Sequence, residues 1–125
     1  MGKSLRRVLI VDDEAPVREF VTRALAHAGY ETDQADDGLT ALDALEHKHF
    51  DLVITDIVMP GMDGIALALK LAKEQPDLKI LLMTGYAAEK QRAYGLDSFI
   101  HEVIGKPFTL RQIVDAVGRA LKNSA

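Results

Sequence analysis

The chain has 125 residues, 48% of them hydrophobic, which is one domain by length and enough to bury a core without covalent staples. It has no cysteine, which excludes disulfides and thiolate metal sites, and 15 basic against 19 acidic residues give a net charge of −4, unlike a protein that holds nucleic acid by charge. No apolar run approaches a membrane span, only a short apolar run follows Arg6 and Arg7, and Arg6 stands where a myristoylation signal needs Ser or Thr, so a cytoplasmic location is expected.

The run Val8-Leu9-Ile10-Val11 is strand-sized and rich in β-branched residues. Val17, Phe20, Val21, Ala24, Leu25 and Ala28 follow at helical spacing, with Pro16 suited to the first turn and Gly29 to the stop. Tyr30 to Ala35 is polar and alternates weakly, which predicts an edge strand. Leu39, Leu42 and Leu45 mark a second helix with Asp37 as its N-cap. Leu52-Val53-Ile54 reads as a strand, Ile65 to Lys73 as a helix ended by Pro76, and Ile80-Leu81-Leu82-Met83 as a further strand. A short helix over about residues 88–94 and a strand near Glu102–Gly105 fit the next stretch. Leu110, Ile113, Val114, Val117 and Leu121 make the last helix, capped by Thr109. The apolar strand runs do not alternate, so both their faces are read as buried, the habit of parallel sheets covered by helices.

Strand and helix thus alternate five times. The pattern predicts an α/β fold: a doubly wound five-stranded parallel sheet flanked by five helices. A polar edge strand that comes second in sequence gives the order 2-1-3-4-5, and ligands then bind beyond the carboxyl ends of the strands.

Polar residues stand at those ends. Asp12-Asp13 follow the first strand, Asp56 ends the third, Thr84 the fourth, and Lys106-Pro107 follow the fifth. A lone Asp after a strand is usually a cap or turn residue. Four polar ends at one edge need another reason. Three converging carboxylates repel one another, and a bound cation removes the conflict. Ligands that are all oxygen point to a hard ion, Mg²⁺, with Mn²⁺ as the alternative. Spare positions on the ion suit phosphate oxygens, which a lysine charge and a threonine hydroxyl would complete. Neither GxxxxGK[ST] nor GxGxxG is present, and Pro60-Gly61-Met62-Asp63-Gly64 reads as a loop. What remains is a carboxylate nucleophile that becomes an aspartyl phosphate, and Asp56 is the candidate because it ends the central strand.

The patterns VLIVDDE, DLVITDIVMPGMDG, ILLMTGY and GKPF, in this order, resemble the receiver domain of bacterial two-component response regulators, from Arg7 to about Lys122. The resemblance implies a flavodoxin/CheY-like fold and a phosphorelay. A histidine kinase or histidine phosphotransfer protein presents phosphohistidine, and Asp56 attacks in line. Asp13, Asp56 and the backbone carbonyl of Val58 would ligate Mg²⁺, with Asp12 acting mainly through water. Thr84 would hydrogen-bond the phosphoryl group and Lys106 would pair with its oxygens. A cis bond to Pro107 would aim the lysine, and Gly85 would help position the loop. Beyond gaining and losing its own phosphoryl group, the protein is expected to turn over no substrate, so it is not an enzyme. Phosphorylation adds roughly −1.5 to −2 charge, enough to bias a loop and helix rearrangement.

Two features depart from the receiver pattern. Val103 stands where the family usually has an aromatic that turns inward with the threonine, and the segment from Gly95 to Lys106 is longer than usual. Phe99 or Tyr94 could supply an aromatic, core packing being their plainer role. Tyr86 flanks the pocket mouth or is a surface aromatic on a loop.

The stretch MTGYAAEKQRAYGLDSFIHEVIGKPF is similar to the single-domain CpdR-type regulators of alphaproteobacteria. That subgroup implies an unphosphorylated adaptor that primes the ClpXP protease, with no role for nucleic acid or membrane. The alternatives are a phosphotransfer intermediate or a partner-binding module of another pathway. A haloacid-dehalogenase-type phosphatase would need an Asp where Val58 stands. A flavodoxin-like electron carrier would need a phosphate loop. His27, His47, His49 and His101 lack zinc-ligand spacing, with none four residues from a carboxylate in such a pattern, and are read as surface residues. Lys70, Lys73 and Lys79 are read as an exposed face. The fold is used up by Lys122, so residues 1–125 are expected to be one receiver with no output domain. Asp12, Asp13, Asp56 and Lys106 together carry −2, half of the net charge.

Overall fold

The computed structural model describes residues 6–85 and 99–122. Its elements in chain order are β1 (Arg7–Val11), α1 (Ala15–His27), β2 (Glu31–Ala35), α2 (Gly38–His47), β3 (Leu52–Asp56), α3 (Gly64–Glu74), β4 (Lys79–Thr84), β5 (Glu102–Gly105) and α4 (Leu110–Lys122). The five strands form one parallel sheet in the order β2-β1-β3-β4-β5, as the alternation predicts. Four helices lie among the described residues; the helix expected over residues 88–94 falls outside them, as do Tyr86 and Tyr94.

The three apolar runs are the sheet's interior. Val8 to Val11, Leu52 to Ile54 and Ile80 to Met83 are fully buried. Successive side chains point to opposite faces, which divides the core in two. Leu9, Val11, Val53 and Leu82 pack under α2 and α3. Val8, Ile10, Ile54 and Met83 pack under α1 and α4. Polar β2 lies at an edge, where water can solvate it.

The helix ends follow local chemistry. Asp37 accepts the Thr40 N–H at 2.8 Å and Asp63 accepts the Ala66 N–H at 2.8 Å. Thr109 and Gln112 cap reciprocally: Thr109 Oγ1 accepts the Gln112 N–H at 3.1 Å, and Gln112 Oε1 accepts the Thr109 N–H at 2.8 Å. Pro16 sits in the first turn of α1, and Gly29 takes φ 102° just beyond its end.

Several side chains differ from the sequence reading. Leu39 is 70% exposed, and α2 buries Gly38, Ala41 and Leu45 instead. Leucines three apart drift around the helix, so Leu39 lies about 120° from Leu45. Phe99 is 42% exposed and so is not a core residue; Ile100 takes that place. Val103 is partly buried against the core under α3, opposite Leu82. His47 does stand four residues from a carboxylate: its Nδ1 lies 3.6 Å from Asp43 Oδ1 and 2.8 Å from the Asp43 carbonyl oxygen, with Glu46 close by. That group is exposed, and the ring nitrogen is already engaged with the helix backbone.

His101 is not a surface residue. It is half-buried at the start of β5, and its Nδ1 accepts the Ile80 N–H at 3.0 Å while its own backbone N–H donates to the Ile80 carbonyl at 2.9 Å. The side chain thus stands in for a strand carbonyl where the ladder begins. Burial, aided by the Lys79 charge, pushes its pKa below the ordinary histidine value. Lys70 and Lys73 are exposed as expected, whereas Lys79 is half-buried. Among the described residues no helix is long and apolar enough to cross a membrane.

Candidate functional site

Parallel strands bring their C-terminal ends to one edge. The register sets Val11 beside Thr55, Asp56 beside Met83, and Thr84 beside Gly105. The residues at or just past those positions therefore converge. Carboxylate oxygens of Asp12, Asp13 and Asp56 lie within 4.8 Å of one another. Lys106 Nζ reaches Asp12 Oδ2 at 3.1 Å, Asp56 Oδ1 at 3.2 Å and Glu14 Oε1 at 3.7 Å. Thr84 is buried beside them in the sheet, and its carbonyl accepts the Lys106 N–H at 2.7 Å. The Lys106-Pro107 peptide bond is cis, as expected.

The three aspartates are not equivalent. Asp12 is fully buried and already committed: Oδ1 accepts the Glu14 N–H at 2.9 Å, and Oδ2 faces Lys106. Its carbonyl accepts Arg18 Nη1 at 2.7 Å, and Arg18 Nε donates to Gln34 Oε1 at 2.9 Å. Asp56 is buried, whereas Asp13 is exposed. Burial pushes Asp56 up to about 6, and Asp12 adds repulsion, against the opposing pull of Lys106 and the Ile57 N–H. Burial pulls Lys106 down, but Asp12 and Asp56 outweigh it and its pKa stands raised. The lysine stays charged, yet one cation faces three carboxylates.

That imbalance fits a hard divalent ion. The donors are all oxygen, close enough to share one ion, and open on the Asp13 side. Mg²⁺ takes one or two carboxylates and keeps several waters, which leaves positions for phosphate oxygens. The cluster opens on a cavity of about 710 Å³ lined by Asp13, Asp56, Val58, Gly85 and Lys106, and by apolar Pro16, Val17, Phe20, Pro107 and Phe108. Phe20, 41% exposed, meets Phe108 with ring centroids 6.3 Å apart.

The structure thus brings together Asp12, Asp13, Asp56, Thr84 and Lys106, with Val58, Gly85 and Pro107 on the cavity wall. Val103 lies away from that wall in β5, and Tyr86 lies outside the described residues. The sequence reading missed Glu14, Arg18 and the Phe20–Phe108 pair. It also missed Gly64, where an added Cβ would lie 2.0 Å from the Asp56 carbonyl oxygen. The signal for Gly64 was the turn Met62-Asp63-Gly64, which announces a loop but not what the loop leans against.

The family model for the response regulator receiver domain matches residues 8–118. This chain belongs to that family. The receiver is 38% identical over 117 residues to the response regulator receiver protein CpdR of Brucella abortus (strain 2308), covering 94% of this chain and 98% of that protein. It is 34% identical over 119 residues to the response regulator MprA of Mycobacterium sp. (strain KMS), covering 95% of this chain but 52% of that protein, so it spans about half of that relative. Among solved structures, the response regulator TrrA of Thermotoga maritima, in complex with Mg²⁺-BeF, superposes with a TM-score of 0.84 at 36% identity, covering 94% of this chain and all of that one. A receiver is a signalling module rather than a classical enzyme, and the CheY-like fold is the one its sequence predicts.

Proposed function

We propose that this receiver is the phosphoacceptor of a two-component phosphorelay, with Asp56 as the residue modified. The observation that carries the reading is the cluster itself: three carboxylates within 4.8 Å and Lys106 Nζ 3.2 Å from Asp56 Oδ1. Asp13, Asp56 and the Val58 carbonyl would hold Mg²⁺, with Asp12 acting through water. The ion would supply charge neutralisation for the carboxylates and the incoming phosphoryl oxygens. A carboxylate oxygen of Asp56 attacks phosphorus in line, the P–N bond of the donor's phosphohistidine breaks, and the imidazole nitrogen keeps the electron pair. Lys106 swings its charge from Asp56 to the arriving oxygens, and the Thr84 hydroxyl donates a hydrogen bond to one of them. The apolar wall of Pro16, Val17, Phe20 and Phe108 beside Asp56 offers the donor protein, a histidine kinase or phosphotransfer protein, a surface to dock on.

The output of such a domain is a switched protein contact. Identity to CpdR over nearly that protein's whole length supports a CpdR-like adaptor in the cytoplasm, acting on a ClpXP-type protease in its unphosphorylated state. Incubation with acetyl phosphate and Mg²⁺, read by intact mass, tests the chemistry: one phosphoryl adduct on the wild type and none on Asp56→Asn. A stable adduct on Asp56→Asn overturns the assignment. A pull-down with the protease unfoldase tests the output: capture by the unphosphorylated receiver that falls on phosphorylation supports it, and equal capture in both states removes it.

A further inference from the structure

Asp12, Thr55, Asp56 and Thr84 are the buried polar side chains of the described residues. Three belong to the site; Thr55 does not. Neighbours on a strand point to opposite faces, and Thr55 lies on the far side, its Oγ1 3.9 Å from Met59 Sδ. A valine there would have the same shape and continue the apolar run Leu52, Val53 and Ile54 that precedes it in β3. A buried hydroxyl is costly unless it is hydrogen-bonded. This one has a specific partner: Thr55 Oγ1 donates to the backbone carbonyl of Asp56 at 3.0 Å, a far better acceptor than the thioether.

The same peptide is gripped elsewhere. The bare Cα of Gly64 presses on it, since an added Cβ would lie 2.0 Å from the Asp56 oxygen, 2.9 Å from its carbon and 3.0 Å from Ile57 Cα. Gly64 N–H donates to the Ile57 carbonyl at 2.8 Å, and Ile57 N–H donates to the Met83 carbonyl at 3.1 Å. We infer that Thr55 is a positioning residue for Asp56: its hydroxyl, against Gly64, fixes the peptide plane from which the Asp56 carboxylate hangs and the Val58 loop departs. The inference deepens the phosphoacceptor reading and rests on it. In-line attack is sensitive to small displacements of the nucleophile, so the bond is felt in rate.

Three proteins are compared: wild type, Thr55→Val and Thr55→Ser. Phosphorylation by acetyl phosphate at saturating Mg²⁺ is timed by intact mass, and the Asp56 carbonyl ¹³C resonance reports the hydrogen bond directly. Thr55→Val is expected to react about fivefold more slowly, the scale of one lost hydrogen bond, and to shift that resonance. Thr55→Ser, which keeps the hydroxyl and loses the methyl, restores both. A Thr55→Val protein with wild-type rate overturns the inference, as does an unmoved resonance or a Thr55→Ser as slow as the valine. If the wild type takes no phosphoryl group, the phosphoacceptor reading falls, and the catalytic purpose of the bond with it.

Discussion

Asp56 is held at a cost that its neighbours only partly offset. Burial and the Asp12 charge raise its pKa to about 6 even with Lys106 3.2 Å away, so at neutral pH the ion-free domain holds an ionised carboxylate whose charge costs the fold stability relative to the unfolded chain. Asp56→Asn should therefore stabilise the domain in Mg²⁺-free buffer by about 1 kcal/mol, or roughly 3–6 °C in Tm. Adding Mg²⁺ should raise the Tm of the wild type more than that of the variant, because binding to the folded state alone adds stability. Calorimetry with and without Mg²⁺ checks both, and an unchanged or lower Tm for the ion-free variant would contradict the account. Gly64 makes the complementary case. Any side chain there drives into the backbone of Asp56. Gly64→Ala should lose about 2–3 kcal/mol in urea unfolding, and its phosphorylation should slow as the carboxylate is displaced.

Among the elements, β5 hangs on a proton. Ile80 N–H can donate to His101 Nδ1 only while that nitrogen is bare, which requires the neutral ring. The folded pKa of His101 is depressed by burial and by Lys79, the charged neighbour that acts on it among the described residues. The unfolded chain then binds the proton more readily, so the tie is fully present above an unfolded pKa of about 6.5 and is lost as pH falls through the lower folded value. The ¹⁵N resonances of the ring should show a bare Nδ1 at pH 7.5, and hydrogen-exchange protection of the Ile80 amide should drop on acidification. His101→Phe should lack that step; a step that survives in the variant assigns it elsewhere. This tie was not legible in the sequence, because it depends on β4 and β5 pairing across 21 residues of chain. By contrast β1, β3 and β4 were legible, since unbroken apolar runs have one common solution in alternating α/β chains. The caps Asp37 and Thr109 were legible because they act within one helical turn. The stripe of α2 was misread at Leu39 because a three-residue repeat drifts around the helix and sets Leu39 about 120° from buried Leu45. At the site, Asp12, Asp13, Asp56, Thr84 and Lys106 could be gathered from strand order alone. The work of Thr55 and Gly64 could not, because it lies in close backbone approach.

At the scale of the molecule, half of the net charge of −4 sits in one cluster at the carboxyl edge of the sheet. A divalent ion would neutralise that share, and a phosphoryl group would then return roughly −1.5 to −2 beside Thr84 and Lys106. Thr84 ends β4 and Lys106 follows β5, so the charge change would act at the ends of those two strands. Val103 lies on β5 against the core under α3, opposite Leu82 of β4. The phosphorylated domain should accordingly show its largest amide shift changes at Thr84, Gly85 and Lys106, with smaller ones at Val103; an NMR comparison of the two states checks this. Reductive trapping shows which residue accepts the phosphoryl group: the protein is treated with phosphodonor and Mg²⁺, reduced with borohydride, digested and sequenced by mass spectrometry. An aspartyl phosphate is thereby converted to homoserine, and homoserine is expected at position 56 only when both donor and Mg²⁺ are present. Homoserine at position 12 or 13, or none at all under conditions that phosphorylate a control receiver, would contradict Asp56 as the phosphoacceptor.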